Sequence, residues 1–148
     1  MYRHILIPTD GSSLAHHAIE HGARLAKTVG AQVTILAVEP KFDFLSVMPA
    51  VPDPLAEEFA TLGKQTKVHV EQMLRSLATE VRATGVACDT VHLRHNQPYE
   101  CIVGTAKQKG CDLIVMASHG RSGLAAVILG SVTTKVLTHS DVPVLVCH

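Results

Sequence analysis

Neither sign of charge is in excess: Lys and Arg total 13, Asp and Glu total 13, and the net charge is near zero. Nucleic-acid-binding surfaces draw their affinity from basic side chains, so this balance argues against one. No apolar run reaches the roughly 20 residues that cross a bilayer. Met1-Tyr2-Arg3-His4 leads straight into an apolar strand pattern rather than a signal peptide. Together these features predict a cytoplasmic protein with no membrane contact. Cys88, Cys101, Cys111 and Cys147 have no C-x-x-C spacing, which predicts reduced, buried thiols in place of a disulfide or zinc site. No internal repeat or low-complexity segment is visible. Two phosphate-loop spellings are also missing. No Gly-Lys-Ser/Thr occurs, which excludes the P-loop, and no two glycines stand one residue apart, which excludes G-x-G-x-x-G.

What is present is a chain of 148 residues, 47% hydrophobic, long enough for one domain with a full core. His4-Ile5-Leu6-Ile7-Pro8 is apolar at successive positions, as in a strand buried on both faces. Ser12 or Ser13 caps the helix that follows, whose face is Ala15, Ala18, Ile19, Gly22, Ala23, Ala26 and Val29 and whose end is Gly30. Ala31 to Val38 is a second strand. Glu39 to Ala56 holds four of the seven prolines and the apolar residues Phe42, Phe44, Leu45, Val47 and Met48. Proline forbids a long helix or inner strand there, and an apolar loop has to be packed down, folded over a ligand or buried against a partner.

Glu57 to Thr84 predicts a long helix with Phe59, Leu62, Thr66, Val70, Met73, Leu77 and Val81 along one stripe. Val86 to Arg94 alternates as a strand near the sheet edge. Pro98 suits the first turn of a helix burying Ile102, Val103 and Ala106. Asp112 to Met116, a helix from Ser131 to Ser140 carrying Val136 and Leu137, and a last strand from Val142 to His148 complete the chain. Strands alternating with helices give an α/β fold: a parallel sheet with helices on both faces.

The stretch that organises the chain runs from Val115 to Thr133. It is the end of a buried strand, then a loop with glycines at 120, 123 and 130, then the start of a helix. Strand, glycine loop and helix is the order phosphate-binding loops use, because glycine lets backbone approach an anion and the first N–H groups of a helix point at it. The N–H groups of Ser131 and Val132 and the Ser131 hydroxyl are candidate donors. An ordinary glycine turn with a serine cap is the plainer alternative for Gly130-Ser131 taken alone.

The spelling here is Ala117-x-x-Gly120, nine residues, Gly130-Ser131, with Ser118-His119-Gly120-Arg121 inside it. It resembles the universal stress protein family, whose ATP-binding members read G-x-x-G, nine residues, G-[S/T]. One position departs, since the first glycine is Ala117; a left-handed backbone there would strain the alanine and reshape the pocket.

The resemblance covers residues 1–148 as one domain. It implies an open five-stranded sheet of order 3-2-1-4-5, Rossmann-like and akin to the adenine nucleotide alpha hydrolases. The loops 8–12 and 117–131 would then flank the crevice at the topological switch point. It further implies ATP, or ADP or AMP, with magnesium. Pro8, Thr9 and Val38 would line the adenine pocket, with Val38 reading the base by its backbone. The backbones of Met116 and Ala117 would lie near adenine or ribose, and Gly120 near the phosphate chain. His119 and Arg121 are candidate cationic partners of the phosphates, and Gly130, Ser131 and Val132 would receive them. Asp10 would meet the ribose, or a phosphate-bound magnesium through water; an Asx turn or helix cap is its plainer role. No set of catalytic residues is assembled by these arguments, so a nucleotide-dependent stress regulator is the reading. Slow ATP hydrolysis in the same pocket and a nucleotide-free interaction module are the rivals. The apolar last strand, Val142 to His148, predicts a homodimer paired along that edge, as in the family.

Overall fold

The computed structural model describes residues 1–41, 53–120 and 129–148. In chain order its elements are β1 (His4–Thr9), α1 (Ser13–Val29), β2 (Gln32–Glu39), α2 (Asp53–Ala83), β3 (Cys88–Arg94), α3 (Pro98–Lys109), β4 (Leu113–Ala117), α4 (Ser131–His139) and β5 (Val144–Cys147). All five strands run parallel in one sheet of order β3-β2-β1-β4-β5. This is the implied 3-2-1-4-5 order.

The continuous apolar runs are strands covered on both sides. Ile5 and Ile7 of β1 point into a core shared with α1 and α2, while Leu6 points into a second core under α3 and α4. All three are fully buried. The helix α1 buries Ala15, Ala18, Ile19, Gly22, Ala23 and Ala26, the predicted face, and ends where Gly30 turns left-handed at φ 74°. Small residues on that face let the helix lie close to the sheet. A Cβ built on Gly22 would stand 2.5 Å from Ile7 Cδ1 and 3.5 Å from Val115 Cγ1, and neither neighbour has solvent to move into. Gly22→Val is therefore expected to destabilise the fold by about 1–3 kcal/mol through overpacking. Urea unfolding would show this, and wild-type stability in the variant would contradict it.

The long helix starts four residues before the predicted Glu57. Pro54 lies in its first turn, where a missing N–H costs nothing. Among the described residues, the predicted stripe reaches the core over the C-terminal half of α2. Leu74, Leu77, Ala78 and Val81 are buried, Val70 and Met73 pack at the margin, and Leu62 is 51% exposed. The reason is length. The 31 residues of α2 reach about 46 Å at 1.5 Å each, whereas the 8 residues of β2 cover about 27 Å. The first turns of α2 outrun the sheet. Leu137 of α4 is likewise turned outward at 43% exposure, while Val136 is fully buried, and Val103 of α3 is only half-buried.

Asp112 ties the sheet together from outside the strands. Its Oδ1 accepts the N–H groups of Arg3 at 3.1 Å and His4 at 3.0 Å, and its own N–H donates to the His4 carbonyl at 2.9 Å. Burial opposes the charged form of Asp112, but the His4 and Arg3 N–H groups together outweigh it and hold the carboxyl below its ordinary value. All four cysteines are free thiols. Cys88 and Cys111 are buried, and burial pushes each up to about 11. Cys101 and Cys147 are only half-buried, which corrects the expectation for those two. The apolar residues Phe42, Phe44, Leu45, Val47 and Met48 lie outside the described residues. Among the described residues, no helix is long and apolar enough to cross a membrane.

Candidate functional site

The order of the sheet puts β1 beside both β2 and β4, so the chain reverses direction across the sheet between them. Register runs Thr9 to Ala37 on one side and Leu6 to Ile114 on the other. The carboxyl ends of β1, β2 and β4 therefore form one rim. Pro8, Thr9 and Val38 stand on it, as do Met116 and Ala117, and the loop residues that follow β1 and β4 rise from it.

The loop after β1 is fixed by its own side chains. Thr9 Oγ1 accepts the Gly11 N–H at 3.1 Å, Asp10 Oδ1 accepts the Ser12 N–H at 2.9 Å, and Ser12 Oγ accepts the Ala15 N–H at 3.2 Å as the N-cap of α1. Gly11 makes the turn possible at φ 78°. The plainer role of Asp10, an Asx turn, is thus real, and it occupies one carboxylate oxygen. The other oxygen lies against Gly120: a Cβ built on Gly120 would collide with Asp10 Oδ2. The two loops are in contact through a carboxylate and a missing side chain.

The loop after β4 is fixed by backbone. Ser118 N–H donates to the Cys147 carbonyl at 2.7 Å, and the Ser118 carbonyl accepts the Gly130 N–H at 2.7 Å. One residue thereby joins the end of β5 to the start of α4. Gly130 is the N-cap of α4 and has φ −70°, which any residue adopts. It is glycine for space, because a Cβ there would stand 3.1 Å from His119 Cα and 3.4 Å from the Ser118 carbonyl oxygen. With no side chain, Gly130 supplies no capping bond, and the helix ladder begins with Thr134 N–H on the Gly130 carbonyl at 3.0 Å. The N–H groups of Ser131, Val132 and Thr133 precede that first bond and have no partner within the helix.

Ala117 is unstrained. Among the described residues no side-chain-bearing residue has positive φ, so the alanine keeps the backbone an ordinary strand end requires. It is nine-tenths buried and pairs with Cys147. Met116 is buried and Val38 half-buried, both in the core under α3 and α4. Arg121 and Gly123 lie outside the described residues. Of the others, Pro8, Thr9, Val38, Met116 and Ala117 stand on the rim, Asp10, His119, Gly120 and Gly130 lie on the two loops above it, and Ser131 and Val132 begin α4.

Three features had not been assigned a role. Thr133 is buried, and its hydroxyl donates to the Ala117 carbonyl at 3.0 Å, locking α4 to the end of β4. Its signal was a hydroxyl residue three past Gly130, facing inward beside Val136. Ser118 is completely buried, with its Oγ 3.1 Å from His119 Nδ1. Glu39 is a buried charge ending an otherwise apolar strand. Arg94 Nε donates to its Oε2 at 3.1 Å; His92 Nε2 lies 3.1 Å from the same oxygen but is not aligned to bond it. The sequence showed only an unexpected carboxylate at the tail of an apolar run.

Chemically, among the described residues, the rim combines a helix N-terminus without a side-chain cap, two glycines that admit close approach, the Asp10 carboxylate and the His119 imidazole. The helix N-terminus, the glycines and the imidazole suit an anion, while the carboxylate suits a hydroxyl or a cation. Among the described residues no group of three or more His, Cys, Asp or Glu side chains is gathered as metal ligands. A separate groove of about 490 Å³ lies between α1 and α2, lined by Ile19, Ala23 and Val81. His16 spans it, 3.6 Å from Glu20 and 3.8 Å from Glu80.

Known proteins share this architecture. Universal stress protein MJ0577 of Methanocaldococcus jannaschii is 32% identical over 155 residues, covering 99% of this chain and 94% of that one. Its solved structure matches with a TM-score of 0.83 at 31% identity, covering 99% of this chain and 96% of that one. Universal stress protein UspA from Lactobacillus plantarum matches with a TM-score of 0.82 at 25% identity, over 99% of this chain and 98% of its own. A universal stress protein from Archaeoglobus fulgidus, solved in complex with dAMP, shares the fold at a TM-score of 0.70 and 19% identity, over 99% of this chain and 98% of that one. The family model of the universal stress proteins matches residues 1–148. With this match and these relatives, the chain belongs to the universal stress protein family.

Proposed function

We propose that this protein binds an adenine nucleotide, ATP foremost, at the rim of β1, β2 and β4, and that it acts as a nucleotide-dependent regulator in the stress response. The observation that carries the reading is the pair of glycines. Gly120 stands where a Cβ would strike Asp10, and Gly130, the N-cap of α4 without a side-chain capping bond, where a Cβ would crowd His119. The residues present fit a phosphate chain. The N–H groups of Ser131 and Val132, with the Gly130 backbone, would hold it, and His119 would add a donor. Arg121 is the second cationic candidate. Pro8, Thr9 and Val38 would line the base, with the backbones of Met116 and Ala117 beside it. Asp10 would meet the ribose, or magnesium through water. Magnesium, when bound with ATP, supplies charge neutralisation of the phosphates. The unstrained Ala117 supports binding, since its methyl asks for no change of backbone. The dAMP complex within the family fold is consistent with an adenine ligand.

The same reading includes a homodimer formed along β5. Leu145 is 36% exposed, and Val144, Val146 and Cys147 are half-buried on an edge strand without a charged residue. Such an edge invites pairing.

The test is co-purification. With no tryptophan and two tyrosines, the protein absorbs weakly, so bound adenine would dominate the near-ultraviolet spectrum. The expected result is a nucleotide spectrum, with ATP, ADP or AMP released on denaturation. A tyrosine-like spectrum, together with no calorimetric heat on adding ATP and magnesium, would overturn the reading. A turnover assay on the same preparation separates binding from slow hydrolysis.

A further inference from the structure

We propose that Ser118 is a positioning residue that sets the orientation of His119, so that Nε2 is the atom offered to the nucleotide phosphates. The inference rests on the nucleotide reading above and deepens it.

Ser118 is the fixed point of the loop. Its N–H is bonded to Cys147, its carbonyl to Gly130, and its side chain is completely buried. A buried hydroxyl needs a partner, and this one meets His119 Nδ1 at 3.1 Å. His119 is itself held from below, with its Cα 3.1 Å from where a Cβ of residue 130 would be. The half-buried imidazole thus has its Nδ1 side committed to Ser118 and stands next to the N-terminus of α4.

The chemistry follows from what each nitrogen can do. When the serine hydroxyl donates to Nδ1, the neutral ring carries its proton on Nε2. When the ring is an imidazolium, Nδ1–H donates to Ser118 Oγ and Nε2–H remains. Both arrangements present an N–H at Nε2. The one arrangement that leaves Nε2 bare, a neutral ring protonated at Nδ1, faces an anion with a lone pair and is disfavoured by it. Ser118 therefore acts through His119 in either charge state. Ser118→Ala removes that control while leaving the backbone bonds in place.

Two measurements decide it. Long-range proton–nitrogen NMR of the wild-type ATP complex is expected to show a proton on His119 Nε2, with Nδ1 bonded to Ser118. Calorimetry with ATP is expected to show a roughly three- to tenfold loss of affinity in Ser118→Ala, with adenosine affinity unchanged and ATP affinity restored in Ser118→Thr. His119→Ala should lose as much, and the double variant Ser118→Ala/His119→Ala no more than His119→Ala alone. A folded Ser118→Ala with wild-type ATP affinity, additive losses in the double variant, or a bare His119 Nε2 in the wild-type ATP complex would each overturn the inference while leaving nucleotide binding intact. A wild-type protein that binds no ATP would overturn the nucleotide reading and this inference with it.

Discussion

Gly130→Val is expected to lower ATP affinity at least about tenfold, roughly 1.4 kcal/mol, in a protein that still folds. The effect is one of space rather than backbone conformation. At φ −70° residue 130 accepts any side chain. However, a Cβ would already be 3.1 Å from His119 Cα and 3.4 Å from the Ser118 oxygen, and the two γ-methyls of valine add bulk around it. Either His119 and its loop are displaced, or the first turn of α4 moves away from them. Both outcomes disturb the N–H groups proposed to receive phosphate. The fold is expected to survive because α4 is anchored further along, by the fully buried Val136 and by the Thr133 hydroxyl on Ala117. Gly130→Ala should show a smaller loss, since its single methyl asks its neighbours to yield by tenths of an ångström. Titration calorimetry with a thermal melt of each variant checks this. Unchanged affinity in a folded Gly130→Val would remove the loop from the site.

Leu145→Lys is expected to convert a solution dimer to a monomer. Val144 packs against the core under α3 and α4, and a lysine there would damage the fold itself. Leu145 is the exposed residue of the strand, at 36%, so a lysine at that position keeps its charge in water in the monomer. In two antiparallel copies of β5 related by a two-fold axis, the same charge is brought near its own mate and loses solvent, which disfavours pairing. Light scattering at micromolar concentration should give the dimer mass for wild type and half of it for the variant, with equal thermal stability of the protomer. A monomeric wild type would sink the interface, and a dimeric Leu145→Lys would move it elsewhere.

The family motif was legible because its spacing is chemical: glycine at 120 and 130 is required wherever two loops and a helix start must touch. What made those glycines necessary was not legible. Asp10 and Gly120 are 110 positions apart in the chain, and only the adjacency of β1 and β4 brings the carboxylate onto the glycine. The contacts of Thr133 and Ser118 were not legible for a related reason. A buried hydroxyl acquires its meaning from the acceptor it reaches, here the Ala117 carbonyl and His119 Nδ1, and neither contact follows from spacing alone. The Glu39 cluster depends on the register that sets β2 against β3, placing Arg94 opposite Glu39.

By itself the sequence determined the alternation of strands and helices, the burial of β1 on both faces, the face of α1 and the glycine caps, since each follows from a local period or a local backbone preference. It also showed where the glycines of the loop after β4 stand. Only the tertiary structure decided how much of α2 is covered, because coverage depends on the length of the sheet beneath it. The packing of loop against loop likewise decided that Gly130 is small for His119 and not for its own φ. The exposure of Leu145 rather than Val144 on β5 was settled by which side of that edge the helices reach. These are properties of distances between segments remote in the chain, and a one-dimensional pattern does not contain them.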